Sequence, residues 1–194
     1  MSRTAGNAGT ASLFVAIATL WSAASLVTAP VSAQDDAWQA IPWSQRAAVM
    51  QRVAYTDVRV TYSRPVARGR TLFGGVVDWG RIWNPGADSA TTIELSDSVR
   101  VEGHPLAAGR YTLWVIPRAD APWTVIFSRR VDIFHSPYPG EEHDVLRFDV
   151  TPVTGEPMEV LAFYFPVVAK DGATLRLHWG ETVLPIRMQM RTEP

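Results

Sequence analysis

Most of the chain beyond residue 44 alternates hydrophobic and polar residues with the period of a β-strand. In DVRVTYSR, for example, Val58, Val60 and Tyr62 alternate with polar residues, so that one face of the strand is apolar. The same alternation recurs in WTVIFS, VLRFDV, TLRLHW and VLPIRMQM. Many short strands at close spacing predict an all-β fold, which we expect to be a single antiparallel β-sandwich, jelly-roll-like or a partly closed barrel.

Local patterns also predict how individual strands are placed. RYTLWVI and MEVLAFYF are apolar on both faces, which predicts central strands that are covered from both sides. TTIELSDSVRVEG predicts a hairpin with its turn at residues 96–98, in which Glu94 lies opposite Arg100. Pro185 lacks the N–H that a strand ladder uses, so it predicts an edge strand for VLPIRMQM. The residues of that run that share one face are Leu184, Ile186, Met188 and Met190.

The segment SQRAAVMQ has two alternative structures, and two histidines have an ordinary structural role. SQRAAVMQ is either a turn or two of helix or the first strand of a hairpin closed by AYTD. His104 is expected in a turn, and His178 is expected to face outward because it alternates with Leu177 and Trp179.

Large aromatic residues carry much of the buried area of a sandwich, so we expect four of them in the core. They are Trp114, Trp123, Phe148 and Phe163.

The N-terminal segment has the pattern of a signal peptide. Arg3 is the only charged residue before Asp35, and the apolar run SLFVAIATLWSAASLVTAP lies between them. The run leads into VSA at residues 31–33, the small-x-small pattern of a cleavage site. The alternative is an uncleaved membrane anchor, because the run is almost long enough to span a bilayer. The expected organisation is a signal peptide (1–33), a flexible lead (34–44) and a β-sandwich domain (45–194).

Composition narrows the function class further. The chain has 194 residues, of which 47% are hydrophobic and 19% charged, as expected for one folded domain. Its formal net charge is −1 and no run of Lys or Arg exceeds two residues, so no nucleic-acid partner is predicted. It has no cysteine, which excludes disulfides and a lipidated cysteine. We expect a periplasmic or secreted bacterial protein with no stable membrane anchor after cleavage.

Several motifs occur in an order that resembles the bacterial domain-of-unknown-function 2911 family. They are YTDVRVTYSRP, GR..FGG.V..G..W..GA..ATT, L.AGRYTLW.IP, WTVIF and D.LR. The resemblance extends from about Tyr55 to about Met190. It implies an exported, all-β, sandwich-like domain, and it implies no activity because none is established for the family.

The segment from residue 62 to residue 88 concentrates arginine and tryptophan. Arg64 continues the apolar face of its strand and is expected at the rim of the core, where a guanidinium needs a carboxylate, a phosphate or an aromatic ring. One interpretation is a site for a small anionic or glycan-like ligand, or for an envelope protein. Its residues would be Arg64, Arg70, Trp79, Arg81 and Trp83. The other interpretation is structural, with these arginines paired to internal carboxylates such as Asp88 or Asp144.

The segment FHSPYPGEEHD is a second candidate because it gathers imidazole and carboxylate groups in a long strand-free stretch. Its metal-ligand candidates are His135, Glu141, His143 and Asp144. However, the two histidines are eight positions apart and no HExxH motif is present. No GxSxG elbow or phosphate-binding glycine loop occurs either, so no catalytic residue and no cofactor are predicted. We expect a non-catalytic ligand- or partner-binding envelope module, and the alternative is a metal-assisted hydrolase that uses the segment from His135 to Asp144.

Overall fold

A computed structural model describes residues 44–193 as two antiparallel β-sheets packed face to face. The predicted signal peptide and nearly all of the predicted lead lie outside the described residues. The first sheet has the order β1-β2-β3-β6-β7-β8: β1 (Gln45–Val53), β2 (Thr56–Arg64), β3 (Thr92–Leu95), β6 (Gly109–Ile116), β7 (Trp123–Ser128) and β8 (Asp144–Val150). The second sheet has the order β5-β4-β10-β9: β5 (His104–Leu106), β4 (Val99–Val101), β10 (Gly172–Met190) and β9 (Val153–Val168). The predicted sandwich is confirmed, and the sheets are not closed into a barrel.

The core lies between the sheets and is built from the alternating positions that the sequence indicates. Val58, Val60 and Tyr62 of β2 are buried, as predicted. So are the four expected residues of the last strand, Leu184, Ile186, Met188 and Met190. The four expected core aromatics are also buried, but Trp114 lies on the outer face of β6, where its ring meets Tyr138 at 5.2 Å between centroids. Between residues 44 and 193, no helix has the length and apolar character needed to cross a bilayer.

Two of the local expectations are resolved by strand pairing. SQRAAVMQ belongs to β1, which pairs with β2 across a two-residue turn at Ala54 and Tyr55, so the hairpin alternative is confirmed. RYTLWVI lies in β6 between β3 and β7, as predicted for a central strand. The same prediction is wrong for MEVLAFYF, because β9 is the last strand of its sheet. Its free edge is covered only locally, where Val66 forms a bridge with Val160.

The predicted hairpin around residues 96–98 is wrong. Leu95 and Val99 are both buried, but β3 belongs to the first sheet and β4 to the second. The chain therefore crosses from one sheet to the other at this turn instead of folding back on its own strand. Glu94 consequently lies opposite Arg110 of β6, with which it forms an ion pair at 3.2 Å, and not opposite Arg100.

The long strand β10 doubles back on itself. The N–H of Met190 donates to the carbonyl of Asp171 at 2.8 Å, although a straight strand of this length would separate the two by roughly 60 Å. The reversal occurs at Gly180, whose φ of 58° lies in the left-handed region that glycine favours. TLRLHW and VLPIRMQM are thus the two arms of one hairpin. β10 lies between β4 and β9, so the edge strand predicted from Pro185 is wrong. The fold tolerates Pro185 there because the register with β4 covers only Met188–Met190, so no ladder hydrogen bond to β4 needs its missing N–H.

His178 is buried, so the prediction that it faces outward is also wrong. Its Nε2 lies 3.0 Å from the carbonyl oxygen of Glu156, and its Nδ1 lies 3.0 Å from the hydroxyl of Tyr164. Because a carbonyl oxygen only accepts, Nε2 carries the proton, and Nδ1 accepts from the tyrosine. Two neighbours on β9 therefore satisfy both ring nitrogens, which makes burial of this imidazole tolerable.

The connection between β2 and β3 is attached to the sandwich by a buried amide. Asn84 is 1% exposed; its Nδ2 donates to the carbonyl of Leu113 at 2.8 Å, and its Oδ1 accepts from the N–H of Thr91 at 2.9 Å. Next to it, Trp83 exchanges two backbone hydrogen bonds with Val115 of β6. These contacts hold the connection, which carries most of the arginine and tryptophan residues singled out above, against a central strand.

Replacing this amide should destabilise the fold. We expect Asn84→Ala to lower the free energy of unfolding by about 3 kcal/mol, because a buried carbonyl and a buried N–H lose their partner. Asn84→Asp should cost at least as much, since a carboxylate cannot donate to the Leu113 carbonyl and would be buried without a counter-ion. Urea denaturation would measure both, with the exposed amide Gln189→Ala as control. Values within about 0.5 kcal/mol of the parent chain would contradict this role.

Candidate functional site

A cleft of about 400 Å³ lies beside the connection between β2 and β3. Several parts of the chain contribute to it: the segment after β2, the connection itself, the segment before β8, and β10. Its lining residues that bear on ligand binding are Arg68, Arg70, Trp83, His135 and Trp179. The cleft therefore combines two guanidinium groups, one imidazole and two indoles.

The arginines of the cleft are positioned by the backbone around them. Arg70 donates from Nε to the carbonyl of Ala67 at 2.9 Å and from Nη2 to the carbonyl of Val66 at 2.7 Å. These bonds use two of its five N–H groups and fix the plane of the guanidinium. Arg68 and Gly69 both have positive φ, 54° and 67°, so the chain makes a tight turn that places the two arginines near each other. None of the described residues that line the cleft is an aspartate or glutamate, but the carboxylate of Glu159 lies next to it and accepts from the backbone N–H of Arg68 at 2.5 Å.

His135 reaches the cleft through a contact with a distant part of the chain. Its backbone N–H and its Nδ1 both lie 2.9 Å from the carbonyl oxygen of Asp88, 47 positions earlier. Since this carbonyl only accepts, Nδ1 carries a proton in the neutral ring, and Nε2 keeps its lone pair. No described residue hydrogen-bonds Nε2, which leaves that nitrogen available to a ligand.

The apolar wall of the cleft is rigid. The rings of Trp83 and Trp179 are stacked, with centroids 6.1 Å apart and an angle of 18° between their planes. The indole N–H of Trp179 donates to the carbonyl of Glu159 at 3.3 Å, and Trp83 is held to β6 through its backbone. The wall therefore presents a preformed flat surface beside the arginines.

The five residues predicted from the arginine-tryptophan segment do not form one site. Arg70 and Trp83 line the cleft, but Arg64 donates from Nε to the carbonyl of Leu161 at 3.1 Å and is not among the lining residues. Arg81 is exposed and makes no hydrogen bond or ion pair with the described residues. Trp79 lines a different cleft. The sequence does not indicate that Arg68, Trp179 and His135 belong to this site, because only tertiary contacts bring them to it.

The candidate metal ligands are also dispersed. His135 lies in the cleft, whereas the carboxylate of Glu141 pairs with Arg147 at 3.1 Å. His143 lies 3.8 Å from the carboxylate of the adjacent Glu142, and Asp144 is bonded to Arg147. In the described part of the chain, no three His, Asp or Glu side chains are arranged so that they could hold a metal ion. The geometry of this segment therefore lends the metal-assisted alternative no support.

The segment before β8 is instead held by a polar cluster. The hydroxyl of Tyr138 donates to Asp144 at 2.6 Å, and Arg147 bonds both the Asp144 carboxylate and the Tyr138 oxygen. Burial, together with the hydrogen bond to Asp144, raises the pKa of Tyr138 to about 12. The hydrogen bonds to Asp144 and Tyr138 raise the pKa of Arg147, against the opposing effect of its burial. This cluster anchors the end of the segment that carries His135.

The raised pKa of Tyr138 predicts a loss of stability at alkaline pH. An unfolded tyrosine titrates near pH 10 and the folded one near 12, so the folded state binds the proton more tightly and stability is lost as pH rises between these values. We expect the stability difference between the parent chain and Tyr138→Phe to shrink by about 1 kcal/mol over this range. A pKa difference between 10 and 12 would by itself change the stability by more than this, but the Tyr138 side chain is partly solvated, which weakens the effect. Urea denaturation at several pH values would measure it, and parallel pH profiles would contradict it.

Comparison with known proteins gives one match. The model of a family described as a protein of unknown function, DUF2911, matches residues 44–188. Comparison with curated proteins finds no match, and comparison with solved structures finds none. The family match covers all ten strands as far as Met188, together with every residue named in the cleft. Because it covers well over half of the chain, the protein belongs to the DUF2911 family.

Proposed function

We propose that the protein is a non-catalytic binding module of the bacterial envelope that holds a small anionic ligand in the cleft beside Arg68 and Arg70. The observation that carries the proposal is the setting of Arg70: it lines the cleft together with Arg68 and His135, and its guanidinium bonds two backbone carbonyls and no carboxylate of the described residues. An anion in the cleft would meet the charged donors of Arg70 without displacing an internal carboxylate from them.

The geometry of the donors supports a small and compact anionic group. Arg70 keeps three N–H groups after bonding two carbonyls, in a plane fixed by those bonds. A carboxylate or phosphate group accepts such a planar pair of donors in a bidentate way. The cleft is near the lower end of the size range of small-molecule sites, which favours a ligand of a few tens of atoms over a polymer chain.

The stacked indoles indicate that the ligand also has an apolar or flat part. Trp83 and Trp179 form a stacked surface beside the arginines, held by the indole hydrogen bond of Trp179 and the backbone hydrogen bonds of Trp83. A preformed wall lowers the conformational entropy lost on binding. A ligand with an anionic group at one end and a ring or short apolar chain at the other would use both features.

Substitution of Arg70 should weaken anion binding. We expect titration calorimetry with phosphate, sulfate and citrate to detect binding of at least one of them by the parent chain. Arg70→Met should weaken it about tenfold or more, because a charge-assisted bidentate contact is lost. Arg70→Lys should be intermediate, since it keeps the charge and loses the planar fork.

The matched control is Arg59→Met, which removes an exposed arginine from β2 away from the cleft. It should leave the affinity unchanged, which separates a local contact from the effect of net charge. Arg70 also bonds two carbonyls, so the melting temperature of each variant should be recorded. Failure of the folded parent chain to bind any of the three anions, or equal binding by a folded Arg70→Met chain, would contradict the proposal.

The envelope location rests on the N-terminal pattern and can be tested separately. When the full chain is produced in a bacterium, the periplasmic fraction should contain a product whose mass corresponds to residues 34–194, because the small residues at 31 and 33 fit a signal peptidase. Ala33→Phe should block cleavage and leave the longer chain in the membrane fraction, whereas Val31→Ala should be processed normally. A full-length cytoplasmic product from the parent chain would contradict this part of the proposal.

A further inference from the structure

A second cleft, of about 240 Å³, lies on the other side of Phe73 from the arginine cleft. The ring of Phe73 contacts Trp83 and Trp179, which line the first cleft, and also Trp79 and Trp123, which line the second. The two clefts therefore share an aromatic partition but no lining residue.

The indole of Trp79 is exposed and yet held in place. It is 43% exposed, so a large part of the ring is accessible to a ligand. A Cβ at Gly74 would lie 2.3 Å from its Nε1, so the ring packs against bare backbone that only glycine provides. Its other contacts are Phe73 and Trp123, with centroids 6.1 Å and 6.3 Å away. The N–H of Gly80 donates to the carbonyl of Pro117 at 2.8 Å and fixes the chain beside the indole.

Polar groups of opposite charge surround this indole. Arg118 donates from Nη1 to the carbonyl of Pro122 and to the hydroxyl of Thr124, which orients its guanidinium and leaves its other N–H groups available. Glu181 is exposed and makes no hydrogen bond or ion pair with the described residues. The hydroxyl residues Thr154 and Thr182 lie opposite each other on β9 and β10. The rim thus offers donors, acceptors and hydroxyls with no excess of charge.

We infer that this second cleft binds one ring of a neutral sugar chain. A sugar ring has an apolar face of C–H groups, which suits a fixed and partly exposed indole, and hydroxyls around its edge, which both donate and accept. A carboxylate accepts two hydroxyl protons, and a guanidinium donates to a hydroxyl oxygen. The cleft is smaller than the range typical of drug-sized ligands, as expected for a site that holds one ring of a longer chain.

The charge balance distinguishes this site from the first cleft. The described residues lining the first cleft bear two arginines and no carboxylate, whereas Arg118 and Glu181 balance each other here. Glu181 would repel an anionic ligand, so a neutral oligosaccharide of hexoses or N-acetylhexosamines is the favoured occupant. The inference does not depend on anion binding by Arg70.

The test is titration of the full chain with three neutral oligosaccharides: chitohexaose, cellohexaose and maltohexaose. We expect at least one of them to bind. Trp79→Ala should weaken that binding about tenfold, and Trp79→Phe should retain most of it, because an aromatic face remains. Glu181→Gln should weaken it severalfold, because one of the two accepting carboxylate oxygens is replaced by an NH2 group that only donates. Arg70→Met should leave it unchanged.

Two features keep this experiment decisive. Glu181 is exposed and makes no hydrogen bond or ion pair with the described residues, so its substitution tests the site even if Trp79→Ala fails to fold. The Arg70→Met chain separates the two sites, since it should lose anion binding while it keeps the oligosaccharide. Absence of binding to all three sugars by the folded parent chain would overturn the inference. Equal affinity of the parent and Glu181→Gln chains would also overturn it.

Discussion

The packing of Phe73 among four tryptophans is the interaction on which the two clefts depend. Its ring lies between 4.7 Å and 6.3 Å from the rings of Trp79, Trp83, Trp123 and Trp179. Trp123 and Trp179 belong to opposite sheets, on β7 and β10, so the ring brings together the long connection and both layers of the sandwich. Three of these four contacts are edge-to-face, and because such contacts are directional they hold the connection in one position.

Backbone contacts add to this aromatic packing. Asn84 attaches the connection to β6 and to Thr91, and the segment after β2 pairs with β9 through the bridge between Val66 and Val160. A loop of this length is costly to order unless its polar backbone groups find partners. Here it is fixed at both ends and in the middle, which allows its side chains to form clefts of defined shape.

The two clefts have different chemistry although they adjoin the same phenylalanine. The first has a positive lining, because the turn at the left-handed residues Arg68 and Gly69 places Arg68 and Arg70 beside the cleft, and the carbonyl of Asp88 binds His135 there. The second has a balanced rim, because Glu181 comes from the reversal of β10 and Arg118 from the end of β6. The two proposed sites therefore call for ligands of different charge.

The sequence by itself determined which segments are strands and which of their residues face the core, because alternation along a strand is a local property. The faces of β2 and of the second arm of β10 follow directly from it. Tertiary structure decided which strands are partners: β3 and β4 lie in different sheets, and His178 is enclosed by β9. It also determined which residues line the same cleft: Trp79 and Trp83 line different clefts, whereas His135 lines the same cleft as Arg70. Periodicity indicates that a face is buried but not what buries it, and residues far apart in sequence converge only when the strands have paired.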